Sequence, residues 1–130
     1  MNVRVLIIDA HEDTRGSLVR RLERDERLDV AAHVATIEEA KSAIRDSRVD
    51  IMLLDVQSHA GTAAERCQTL HQLADVPLVV LASFMTIEDW RTLRTAGASD
   101  YLLKPAGSKQ LSDAIVRLAS RHAADSRPRS

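Results

Sequence analysis

The chain has 130 residues, 45% of them hydrophobic, with eighteen basic side chains against nineteen acidic ones and a net charge of -1. That length suits one domain with a core of its own, and the single Cys67 excludes an internal disulfide framework. The near-zero charge excludes a global field for nucleic acid or an anionic membrane, and Phe84, Trp90 and Tyr101, the only aromatics, make no stacking platform for bases.

Short β-branched or leucine-rich runs alternate with stretches of helical period five times. The first run, Val3 to Ile8, stops at Asp9, and a helix follows with Asp13 as its expected N-cap and Leu18 and Leu22 facing inward. The second, Leu28 to Val34, leads into the capping box Thr36/Glu39 and the stripe of Ala40 and Ile44. The third, Ile51 to Leu54, stops at Asp55. A loop and a second capping box, Thr62/Glu65, come next. The fourth, Leu78 to Leu81, is followed by Ala82, Ser83, a looser cap at Thr86/Asp89, inward Trp90 and Leu93, and a closing Gly97. The fifth, Tyr101 to Leu103, runs into Lys104 and Pro105, with Ser108 expected to cap a last helix that buries Leu111, Ile115 and Leu118.

Several of these runs are apolar without alternation, as parallel strands covered on both faces must be. Five βα units in strict succession therefore predict an α/β, doubly wound, five-stranded parallel sheet. The domain is expected to span residues 1–122. Residues 123–130, with Arg127, Pro128 and Arg129, carry no period and read as a disordered tail or the start of a linker. No apolar run approaches the roughly 20 residues of a membrane span, and the N-terminus shows no secretory leader pattern, so a cytoplasmic location is expected.

In open α/β sheets, ligands bind beyond the carboxyl ends of the strands at a topological switch point. That rule singles out Asp9, Asp55, the pair Ala82 and Ser83, and Lys104. A lysine placed directly after an apolar strand carries its charge to the edge of the core, where a carboxylate is its natural partner.

The stretches Val5-Leu6-Ile7-Ile8-Asp9, Ile51-Met52-Leu53-Leu54-Asp55 and Gly97 to Pro105 resemble the receiver domain of two-component response regulators, and the resemblance covers residues 3–121. It implies the flavodoxin-like strand order 2-1-3-4-5. It also implies that Asp55 accepts a phosphoryl group from a histidine kinase or phosphotransfer protein, with Asp9 as acidic partner and Lys104 on the phosphate. Mg²⁺ would be held by Asp9, Asp55 and the backbone carbonyl of Gln57, while a hydroxyl and the aromatic Tyr101 report the event. The implied role is a signalling module that switches protein contacts of an output, not an enzyme beyond its own phosphorylation and dephosphorylation at Asp55. Homodimerisation stays open, and no contact of this domain with nucleic acid or membrane is expected.

Three departures bear on that reading. Ala10 stands where the family carries a second metal-binding acid. Ala82 aligns with the expected hydroxyl, and Ser83 replaces it only if the fourth strand ends one residue early. The loop Val56 to Gly61 lacks the usual Met-Pro and is shorter than the family's; His59 within it, like His11, reads as a surface histidine. Weak Mg²⁺ binding and inefficient phosphorylation are expected on these grounds, and the competing reading is a phosphorylation-independent receiver kept as a protein-interaction module. A nucleotide or flavin binder is disfavoured because none of Gly16, Gly61, Gly97 and Gly107 forms a phosphate-cradling loop. A hydrolase would need an acid where Gln57 stands.

Overall fold

Strands without polar alternation need cover on both faces, and the computed structural model, which describes residues 2–56 and 60–125, supplies it. Ten elements alternate: β1 (Val3–Ile8), α1 (Glu12–Glu23), β2 (Leu28–Val34), α2 (Ile37–Asp46), β3 (Ile51–Val56), α3 (Ala60–Leu73), β4 (Leu78–Ala82), α4 (Ile87–Thr95), β5 (Asp100–Leu103) and α5 (Ser108–Asp125). All strand pairs are parallel and the order is β2-β1-β3-β4-β5. Successive strand residues point to opposite faces, so β1 sends Val5 and Ile7 toward Leu18, Leu22, Leu111 and Ile115 of α1 and α5. Its Leu6 and Ile8 go to the other face, against Ala40, Cys67, Leu70 and Leu93 of α2, α3 and α4. Burial pushes the Cys67 thiol up to about 11, which keeps it protonated and inert inside that layer.

The chain leaves β1 toward β2 on one side and returns to β3 on the other, so the crevice between the ends of β1 and β3 is the switch point. The first two strands keep their expected bounds. β3 and β4 run further than expected, through Val56 and Ala82, because Asp55 pairs with Leu81 and Val56 with Ala82 before the ladder ends.

Two helix starts follow the sequence signals: Thr36 Oγ1 accepts from the Glu39 amide at 3.1 Å, and Thr86 Oγ1 from the Asp89 amide at 3.0 Å. Three expectations are corrected. The residue preceding α1 is His11, which makes no side-chain cap, and Asp13 lies inside the first turn. Asp9 has taken over the work of a capping side chain, its Oδ1 accepting from the His11 amide at 2.9 Å. α3 starts at Ala60, a good helix former, so Thr62 falls within the helix rather than ahead of it. α5 starts at Ser108 itself, with Gly107 accepting from the Leu111 amide, because the Ser108 hydroxyl is engaged by Arg21 Nε at 2.9 Å. α5 continues through Asp125, three residues past the expected end of the domain at 122, with a 2.7 Å contact between the His122 ring and the Asp75 carbonyl in its last turns. Residues 126–130 lie outside the described residues.

At the end of α4 the Gly97 amide donates to Arg94 O and the Ala98 amide to Leu93 O, both at 3.0 Å, a Schellman closure with Gly97 at φ 116°. A Cβ on Gly97 would stand 2.5 Å from His71 Cγ. Gly97→Ala is therefore expected to lose about 2 kcal/mol or more in urea denaturation. Adding His71→Ala should recover the part owed to the clash but not the part owed to φ.

Candidate functional site

The register Ile8 with Leu54 sets the ends of β1 and β3 side by side, so Asp9 and Asp55 come out next to each other at the switch point. Both are buried, at 1% and 2% exposure. Lys104 follows the last residue of β5, two strands from Asp55, and its amide still pairs with the Ala82 carbonyl at 2.8 Å. The side chain reaches across the end of β4, where Ala82 offers only a methyl group. Its Nζ donates to Asp55 Oδ1 at 2.8 Å and Oδ2 at 2.9 Å. An ammonium on both oxygens of a fully shielded carboxylate is the arrangement that makes such burial tolerable.

Asp9 is held differently. Oδ1 is occupied by the His11 amide, with the half-exposed His11 ring 3.9 Å away, whereas Oδ2 is buried and has no hydrogen-bond partner among the described residues. Burial, seconded by the charge of Asp55, raises its pKa above the ordinary 3.8, against the lowering pull of the His11 amide, Lys104 and the His11 ring. A buried acceptor left over after the local bonds are made marks a place for a ligand, water or ion.

The structure thus brings together Asp9, Asp55 and Lys104 as the sequence predicts. Ser83 is not brought in: β4 runs through Ala82, the condition for the substitution fails, and Ser83 lies exposed past the strand. Gln57 and His59 lie outside the described residues. Tyr101 packs in the layer of α2, α3 and α4 with its ring 4.9 Å from that of Trp90, tilted by 53°. Ala10 is exposed beside Asp9 and brings no carboxylate. Among the described residues no group of three or more His, Cys, Asp or Glu is poised around one point.

Two arginines were not found by sequence reasoning, since on an amphipathic helix they read as a solvated face. Arg15 Nη1 donates to the Asp9 carbonyl at 2.8 Å and pins the turn after β1. Arg21 reaches from α1 to the segment before α5, donating to the Ala106 carbonyl and the Ser108 hydroxyl.

A doubly wound sheet with an acid pair and a lysine at its switch point defines a receiver-type signalling domain. The chain belongs to that family: the model of the response regulator receiver domain matches residues 5–116. It is 32% identical over 114 residues to the DNA-binding transcriptional activator DevR/DosR of Mycobacterium tuberculosis, covering 87% of this chain and 52% of that protein. A protein-glutamate methylesterase/protein-glutamine glutaminase of Azospirillum brasilense is 29% identical over 116 residues, covering 86% of this chain and 29% of that one. The chain therefore spans at most about half of these relatives. The signal receiver domain of a modulated diguanylate cyclase from Desulfovibrio desulfuricans superimposes with a TM-score of 0.82 at 23% identity, covering 96% and 99% of the two chains. Receivers of this family are signalling modules rather than enzymes, and among the described residues no helix is long and apolar enough to cross a membrane.

Two stability measurements test the site. Lys104→Met withdraws the cation from a buried carboxylate and is expected to cost about 3 kcal/mol in denaturant unfolding; Lys104→Met/Asp55→Ala should be milder than the single variant. Asp9 titrates higher in the folded than in the unfolded state, so its ionisation opposes folding: the penalty is absent below 3.8 and complete above the raised value. Asp9→Asn should accordingly be more stable than the parent at neutral pH, with the advantage shrinking as the pH falls toward 3.8.

Proposed function

We propose that this receiver accepts a phosphoryl group at Asp55 from a phosphohistidine of a kinase or phosphotransfer protein, slowly, and that the modified state alters the contacts of an output partner. The observation that carries the reading is the buried Asp55 held by Lys104 on both oxygens, beside an Asp9 oxygen that no group among the described residues engages. One Asp55 oxygen attacks phosphorus, the phosphorus–nitrogen bond to imidazole breaks, and the nitrogen keeps the electron pair and takes up a proton. Lys104 then has to give up that oxygen and follow the transferred phosphoryl oxygens, whose charge it offsets.

The residues present fit a divalent cation through Asp9 Oδ2 and Asp55, the one or two carboxylates that Mg²⁺ commonly takes with water completing its shell. Bound there, the ion would supply neutralisation of charge on the attacking and transferred oxygens. Ala10 removes one carboxylate from that set, and binding is weak for this reason.

Ala82 limits the response to modification. A methyl at the end of β4 has no hydroxyl with which to meet a phosphoryl oxygen, so the modified state is favoured over the unmodified one by fewer contacts, and a ligand shifts populations only by its differential affinity. This favours a second reading, an interaction module whose partner binding does not depend on Asp55. Intact-mass measurement with Mg²⁺ and acetyl phosphate separates the two. The expected result is a small phosphorylated fraction in the parent, none in Asp55→Ala, and a several-fold larger one in Ala10→Asp/Ala82→Thr. No modification in the parent or the double variant leaves the interaction module as the function.

A further inference from the structure

We infer that the cavity between α1 and the segment joining β5 to α5 is a binding site for a small amphipathic acid, an apolar ring or short branched chain carrying a carboxylate, whose presence covers Asp55. The cavity measures about 380 Å³, within the range typical of small-molecule sites. Its floor is laid by Leu18, Leu81 and Leu111 from three different elements, each at most 4% exposed. Asp55 and Lys104 border it. Phosphoryl transfer uses those two groups and has no need of a leucine floor, so the apolar part of the cavity is surplus to it.

The helix that walls the cavity shows how the space arises. Thr14, Ser17, Leu18 and Arg21 occupy positions i, i+3, i+4 and i+7 of α1, one continuous stripe. In a helix packed on a sheet such a stripe is ordinarily apolar. Here three of the four positions are polar, and two of those are too short to fill the gap toward α5.

The charges orient the occupant. Lys104 is already matched by Asp55. Arg21 spends Nε and Nη2 on neutral acceptors, the Ser108 hydroxyl and the Ala106 carbonyl, and no ion pair engages it among the described residues. It stands at the edge of an apolar floor without an ion-pair partner of its own, with the Ser17 hydroxyl one turn away and Asp25 and Asp113 across the neighbouring cleft. Asp13, which would repel an acid head, lies at the other end of α1, about 12 Å along the axis from Arg21. The acid head belongs with Arg21 and the apolar body over the leucines, toward Asp55.

The test uses 3-phenylpropionate and its neutral counterpart 3-phenylpropanol, titrated into the full chain and followed by amide chemical shifts. Both are expected to saturate one site, with shifts centred on Ser17, Ala106 and Leu111. Arg21→Gln should weaken the acid roughly tenfold and the alcohol no more than about twofold, and Ser17→Phe, which fills the cavity, should remove both. Shifts centred elsewhere, no saturation by either compound, or equal losses in Arg21→Gln would overturn the assignment. The covering of Asp55 rests on its being the phosphoacceptor: saturating 3-phenylpropionate should suppress the acetyl phosphate reaction, and binding that leaves the reaction unchanged overturns that part. Binding is read without any phosphoryl donor, so a parent that never reacts counts against the acceptor reading alone.

Discussion

The side chain of Asp55 has no contact with solvent, and a carboxylate there persists because a cation from another strand is delivered to it. That delivery constrains much of the sheet. β5 has to lie two strands away in parallel register, so that the residue after Leu103 emerges level with the end of β3. The residue between them at the end of β4 has to be small enough for a lysine to pass, which Ala82 is. The turn after β1 must in addition present Asp9 without letting its charge wander, and two bonds do this: the His11 amide on Oδ1 and Arg15 on the carbonyl. The apolar layers on the two faces then serve to keep four strand ends in one plane.

The elements that sequence alone made legible are those whose signals are local or periodic. Strand runs announce themselves as unbroken apolar stretches covered on both faces and helical stripes because burial repeats every 3.6 residues, and Thr36, Thr86 and Gly97 act within their own turns. What was missed depends on partners remote in sequence. Asp13 looked like a cap because the competing arrangement, the His11 amide donating to Asp9, exists only once β1 has ended. Ser108 looked like a cap because Arg21, on a different helix, is what claims its hydroxyl. β3 extended beyond the expected Leu54 because a charged residue reads as a strand end, whereas here the charge is neutralised from β5 and the ladder continues through Asp55.

The site was legible in a similar proportion. Asp9, Asp55 and Lys104 sit where the switch-point rule places them, at strand ends that any hydrophobic profile locates. The roles of Arg15 and Arg21 were hidden, since a guanidinium on an amphipathic helix has the same pattern whether it faces water or bridges to a loop. Ser83 illustrates how a single residue of strand length decides a chemical question: one further rung of β4 leaves a methyl at the end of the strand and puts the hydroxyl past it, in solvent.

β5 is only four residues long, yet it is fastened at both ends. The Ser99 hydroxyl accepts from the Leu78 amide at 3.0 Å and the Ser99 amide donates to the Leu78 carbonyl at 2.7 Å, while the Lys104 amide holds the Ala82 carbonyl at the other end. Between these fastenings the side chains alternate, Tyr101 entering the layer of α2, α3 and α4 and Leu102 the layer of α1 and α5. Lys104 continues the Leu102 side and borders the cavity there. A strand so short and fastened at both ends puts the lysine and the tyrosine on one four-residue span whose two flanks bear on different layers.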